Sequence, residues 1–134
     1  MLLILATTSA YAKKTQRATV SLYSATLLAQ INLYRQENGL NMLRFEPRLI
    51  KLAQHHSREM FQQGKVSHNN FKERMEASES RLCVENVGWN NNDPQKRFEE
   101  WQRSLDNNQN MLAEGIVKVG IAEVGNYVTF IACR

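Results

Sequence analysis

The stretch Val117-Lys118-Val119-Gly120-Ile121-Ala122-Glu123-Val124-Gly125-Asn126-Tyr127-Val128-Thr129-Phe130-Ile131-Ala132-Cys133 decides the fold. Val119 and Ile121 alternate with Gly120 and Ala122, and beyond Gly125-Asn126 the residues Tyr127, Thr129, Ile131 and Cys133 alternate with Val128, Phe130 and Ala132. Two runs of period two joined by Gly-Asn read as a β-hairpin, because both turn residues tolerate the positive φ of the tight turns that match strand twist. Apolar side chains occupy both faces of this hairpin. A sheet wet on one side has no use for that, so helices are expected against both faces.

Upstream of the hairpin the period lengthens. Leu27, Leu28, Ile31 and Tyr34 predict a helix over 22–38, with Gly39 placed to end it. Pro47 opens a second helix at a position where its missing N–H costs nothing, Leu49, Leu52, Ala53, His56 and Met60 line its inner face, and Gly64 stops it. Phe71 to Ala77 reads as a short helix. Arg81 to Trp89 reads as extended, with Leu82 and Val84 on one face and Cys83, Glu85 and Val87 on the other. Asn90 to Pro94 is a loop ending in an N-cap Asp93, and Phe98, Trp101 and Leu105 place a single apolar stripe on a third main helix.

A chain of 134 residues with 43% apolar and 22% charged residues fits one globular domain and excludes disorder. The formal net charge of +4 is unevenly placed. With Lys13, Lys14 and Arg17 set aside, 14 of the 17 basic residues remain against 13 acidic ones, a net of +1. The folded part therefore lacks the basic field that nucleic acid requires, and no nucleic-acid partner is expected.

The first twelve residues hold the apolar run Leu2 to Ala6 and end in Ala10-Tyr11-Ala12, the form of a signal-peptidase site, so residues 1–12 read as a signal peptide cleaved before Lys13, shorter than usual in the way that a start site recorded too late would explain. Export to a secreted or periplasmic location follows, with 13–21 as a basic tail and 22–134 as the domain. The alternative is a first strand or helix of the fold. The tail charges could add about 1 kcal/mol each at an anionic membrane, which amounts to peripheral contact at most. Cys83 and Cys133 allow one internal pairing, a disulfide in an oxidising compartment or two buried free thiols otherwise.

Several strings occur in order: Ile31-Asn32-Leu33-Tyr34-Arg35; Leu52-Ala53-Gln54-His55-His56-Ser57 with Met60; Ser67-His68-Asn69; Glu85-Asn86-Val87-Gly88; Trp101-Gln102-Arg103-Ser104; Asn110-Met111-Leu112; and Val119-Gly120-Ile121-Ala122. From about Thr26 to Cys133 the chain resembles the CAP superfamily of cysteine-rich secretory, antigen-5 and pathogenesis-related proteins, in particular its bacterial SCP-type members. The resemblance implies an α+β fold, a three-layer α-β-α sandwich with a mainly antiparallel central sheet. It also implies a cleft in which the family gathers two His and two Glu. His68 and Glu85 match two of these. Where many members have Trp-x-x-Glu this chain has Ser104, and where bacterial members read Ser-Pro-Gly-His it has Asn107 in place of the second His.

The substitutions bear on chemistry. Zinc wants three or four imidazole, thiolate or carboxylate ligands, and Ser104 and Asn107 supply neither. No cofactor is expected, with weak divalent binding at His68 and Glu85 left open. The same two residues are the candidates for an acid–base pair, with no nucleophile beside them. His56 lies on the apolar stripe and reads as a hydrogen-bonded core histidine, His55 as exposed, and Trp101 with Phe98 as core. Trp89 reads either as an aromatic surface at the cleft rim or as an anchor for the loop after it. The expected activity is that of a monomeric, non-enzymatic module binding a small amphipathic or carbohydrate-like ligand or another protein. The alternative is a divalent-metal-assisted hydrolase acting on peptide or cell-wall material.

Overall fold

The computed structural model describes residues 20–90 and 92–134. In chain order its elements are α1 (Leu22–Glu37), β1 (Arg44–Phe45), α2 (Pro47–Gln63), α3 (Phe71–Ala77), β2 (Cys83–Trp89), α4 (Pro94–Arg103), α5 (Leu105–Met111), β3 (Lys118–Val124) and β4 (Tyr127–Cys133). The hairpin turn lies at Gly125 and Asn126, whose φ angles of 54° and 69° are the positive values that a turn of this kind needs. The strands run in the order β1-β3-β4-β2. Both pairings of β4 are antiparallel, and the two-residue β1 joins β3 in parallel. The expected signal peptide and the charges of the tail lie outside the described residues. Among the described residues no helix is long and apolar enough to cross a membrane.

Both faces of the hairpin are covered, as its two-sided apolar pattern requires. On one side Leu27, Ile31 and Trp101 from α1 and α4 pack with Val119, Ile121 and Phe130 in a single cluster. On the other side Leu49 and Ala53 of α2, with Phe71 and Met75 of α3, close over Ala122, Ile131 and Cys133. Each large side chain removed from water in these layers contributes about 1.5–3 kcal/mol. The α-β-α sandwich with its mainly antiparallel sheet is the observed fold.

Helix α2 sits unusually close to the sheet. A Cβ on Gly120 would stand 2.1 Å from the Leu49 carbonyl carbon and oxygen, so glycine is required where α2 crosses β3. Ser57 seals the contact, donating from Oγ to the Ala122 carbonyl at 2.9 Å and sharing a hydrogen bond with Thr129 Oγ1 at 2.8 Å. The helix starts on Glu46, whose carboxylate accepts from the Leu49 N–H, and ends on Gly64 at φ 71°.

The third main helix is a correction to the sequence reading. It breaks at Ser104, which takes extended backbone (φ −96°, ψ 121°), and Leu105 is 72% exposed rather than part of the stripe. The cause is the tie between α5 and β2. Asn86 Nδ2 donates to the Asn107 carbonyl at 3.0 Å, and Asn110 Nδ2 donates to the Glu85 carbonyl at 3.1 Å and to Asn86 Oδ1 at 3.0 Å. These bonds satisfy buried polar groups and set the direction of α5, which a continuous helix would not allow. Cys83 and Cys133 face each other in the β2–β4 register and form a disulfide with S–S 2.08 Å, which settles the choice between bridge and free thiols.

Candidate functional site

Glu85 points from the middle of β2 toward α2 and α3 and is 5% exposed. A carboxylate there needs partners, and it has several. Arg74, also 5% exposed, grips it with two parallel bonds, Nε to Oε2 and Nη2 to Oε1, each 2.7 Å. The remaining arm of Arg74 donates from Nη1 to the Asn69 carbonyl at 2.6 Å. His68 Nδ1 lies 3.0 Å from Glu85 Oε1, so this nitrogen carries the proton and donates. Burial pushes the Glu85 carboxyl up, but the hydrogen bonds from His68 and Arg74 and the charge of Arg74 outweigh it and hold the group below its usual 4.5.

His56 completes the cluster from α2. Its Nε2 is 2.6 Å from the Ser67 carbonyl and therefore donates, which leaves Nδ1 as an acceptor. Burial keeps this imidazole below the usual 6.5 despite the carbonyl partner, and the charge of Arg74 acts in the same sense. His56 is 1% exposed, the hydrogen-bonded core histidine expected, whereas the His55 side chain is 72% exposed and bonds Glu59 at 2.6 Å. Beside the cluster a groove of about 440 Å³ runs between α2 and α3, lined by Leu52, His55, Glu59, Asn70, Glu73 and Arg74. Arg74 belongs to both places.

The structure thus brings His68 and Glu85 together, and it adds Arg74 and His56, which the sequence reading left out of the site. The available signal for Arg74 was its position: with Phe71 and Met75 at i−3 and i+1 it shares the inner face of α3, where a lone cation implies a buried anion opposite. Among the described residues, the side chains of Ser104 and Asn107 make no hydrogen bond to His68 or Glu85. Asn107 contributes its carbonyl to Asn86, from the opposite side of the sheet. Trp89 lies four residues along β2 from Glu85, roughly 13 Å away. Its ring is half exposed and 6.0 Å from that of Tyr127, which in turn meets Phe61 at 6.4 Å, while its carbonyl accepts from Arg97 at 2.6 Å. Trp101 is buried in the core, with its indole N–H on the Val87 carbonyl at 3.0 Å.

A family model described as the cysteine-rich secretory protein family, CAP, matches residues 28–133. The chain belongs to the CAP family. Three solved structures share the fold of this CAP domain. An extracellular protein of Bacillus anthracis that contains an SCP domain matches with TM-score 0.77 and 20% identity over 82% of this chain and 39% of that one. A cysteine-rich secretory protein of Staphylococcus aureus matches with TM-score 0.75 and 18% identity over 83% of this chain and 38% of that one. An outer surface protein of Borrelia burgdorferi matches with TM-score 0.71 and 17% identity over 82% of this chain and 89% of that one. The chain thus spans less than two fifths of the length of the first two. No curated protein matches the chain by sequence.

The metal that the family's two His and two Glu would hold does not fit the donors of this CAP domain. Glu85 has both oxygens on the Arg74 guanidinium, Ser104 and Asn107 stand at the other two positions, and among the described residues no three His, Cys, Asp or Glu side chains are placed to share an ion. The guanidinium occupies the carboxylate that a metal would need. What the site does offer outward is the half-exposed His68 ring, anchored through Nδ1 and turned to solvent on its other side.

Proposed function

We propose that this CAP domain is an extracellular, non-enzymatic binding module that takes a small amphipathic or carbohydrate-like ligand on the surface formed by His68 and the adjoining α2–α3 groove. One observation carries the reading: the Glu85 carboxylate is committed to Arg74 on both oxygens, so it serves as a fixed anchor for His68 rather than as a metal ligand or a proton acceptor. A His anchored by a carboxylate can orient a ligand by hydrogen bonding, and no Ser, Thr or Cys hydroxyl or thiol bonds its ring among the described residues to make it a nucleophile's base. An extracellular setting is supported by the disulfide, which persists in oxidising compartments, and by the extracellular and outer-surface relatives.

The reading is tested by following amide signals while a soluble chitooligosaccharide and a lysophospholipid are titrated in turn, and by incubating the protein with peptidoglycan and added divalent metal. Saturable shifts around His68 and α3 without turnover are expected. Metal-dependent cleavage that disappears in His68→Ala would replace this reading with that of a hydrolase acting on peptide or cell-wall material.

A further inference from the structure

We infer that the end of the sandwich at the β3–β4 turn is a docking face for an anionic lipid bilayer, a proposal that goes beyond the binding-module reading and does not depend on it. Trp89, Tyr127 and Val124 form the last rank of the sheet before the turn. Three rings stand in a row there: Trp89 lies 6.0 Å from Tyr127, and Tyr127 lies 6.4 Å from Phe61 of α2. Tyr127 is buried between the other two, which are each 52% exposed. That exposure is built in. The Phe61 ring lies against the turn and leaves no room for a Cβ on Gly125, and Arg97 holds the Trp89 carbonyl at 2.6 Å. Two large rings are thus held out in water on a rigid support, and a Trp and a Phe so placed suit the boundary between lipid tails and headgroups.

Charge selects the lipid. Helix α1 begins at this same end: Ser24 Oγ donates to the Ile121 carbonyl at 3.0 Å, whereas Asn32, about two turns further along, donates to the Leu43 carbonyl beside the opposite end of β3. Leu22, the first residue of α1, is largely exposed. Lys13, Lys14 and Arg17 precede the N-cap Ser21 by four to eight residues, which at ~3.5 Å per residue keeps them within roughly 14 to 28 Å of it. Lys65, just past the end of α2, and Lys96, in the first turn of α4, add exposed positive charge. The acids nearby are engaged within the fold: Asp93 accepts from the Gln95 N–H at 2.9 Å, and Glu123 is partly buried in the field of Arg97. Tail charges alone give weak contact, and two half-exposed rings alone give weak partitioning. Joined at one end, they supply the two signals that lasting attachment takes.

The full chain is mixed with vesicles of phosphatidylcholine alone and with vesicles containing about one third phosphatidylglycerol, and binding is read by sedimentation and by quenching of tryptophan emission with brominated lipid. The inference expects binding to the anionic vesicles only, weakened by added salt. Quenching should disappear in Trp89→Phe, which leaves only the buried Trp101 to emit. Replacing Lys13, Lys14 or Arg17 by Gln should weaken binding about fivefold per charge. Trp89→Ala or Phe61→Ala, each at a half-exposed position, should weaken it about tenfold. A chain beginning at Lys13 should bind as the full chain does. No binding to anionic vesicles, or binding indifferent to Trp89 and Phe61, overturns the inference. Binding lost with residues 1–12 overturns it too, by assigning attachment to the apolar run Leu2 to Ala6. Self-association of the free chain that Trp89→Ala abolishes would give the face to a second copy instead. None of these results bears on ligand binding at His68, and failure of that binding leaves the docking face standing.

Discussion

Arg74 and Glu85 face each other across the α3–β2 interface with two parallel bonds of 2.7 Å, both residues 5% exposed. The pair puts a cation from the chain itself against the buried carboxylate of the site. It also joins three features: the anchored His68, the buried His56, and the groove between α2 and α3.

Removing one partner of this pair leaves the other charged and buried. Arg74→Met is expected to cost about 3–5 kcal/mol in urea unfolding, and Glu85→Leu a similar amount. The double variant Arg74→Met with Glu85→Leu should recover much of the loss, because the desolvation of both charges disappears together. Additive losses in the double variant would show that the two do not act as a pair.

Acid should weaken the fold in two stages. His56 is held below 6.5, first by burial, so the unfolded chain takes up its proton before the folded one; the stability it contributes is full above pH 6.5 and is lost as pH falls below it. Glu85 is held below 4.5 by partners that outweigh its burial, so its contribution is present above pH 4.5 and is lost as pH falls through the lower folded-state value. Urea midpoints across this range should fall twice in the wild type. His56→Gln should remove the first fall and keep the second.

The disulfide closes a separation of 50 residues between the edge strand β2 and the centre of the sheet. Loop entropy assigns it about 4 kcal/mol. The double variant Cys83→Ser with Cys133→Ser should show that loss together with a larger urea m-value, because the unfolded chain without the crosslink exposes more surface, and thiol titration of the unfolded wild type from its native compartment should find no free thiol.

Gly120→Ala should be costly for a reason unrelated to chemistry. The added methyl meets the Leu49 carbonyl, which is backbone and cannot rotate away, so α2 must lift from the sheet. A loss of about 3 kcal/mol is expected by urea unfolding, and an unchanged midpoint would show that α2 rides higher than it does here.

Most of this architecture is legible in the chain because each element carries a local signal: period two with Gly125-Asn126 for the hairpin, Pro47 and Gly64 as brackets for α2. The break at Ser104 is not legible, since Phe98, Trp101 and Leu105 keep helical spacing across it. What bends the chain is a set of amide bonds from Asn86 and Asn110, whose partners are more than twenty residues away and have no local signature. β1, at two residues, is too short to show a period. At the site, His68 and Glu85 are legible through the resemblance to the family, whereas Arg74 and the buried Nδ1 of His56 acquire their meaning only from the packing of α3 on β2 and α2.

The most direct measurement of the central claim is calorimetric titration of zinc into the wild type and His68→Ala at neutral pH. With Glu85 committed to Arg74, neither protein should show a resolved site. A stoichiometric site in the wild type that vanishes in His68→Ala would mean that the metal displaces the guanidinium, and the binding-module account would be contradicted.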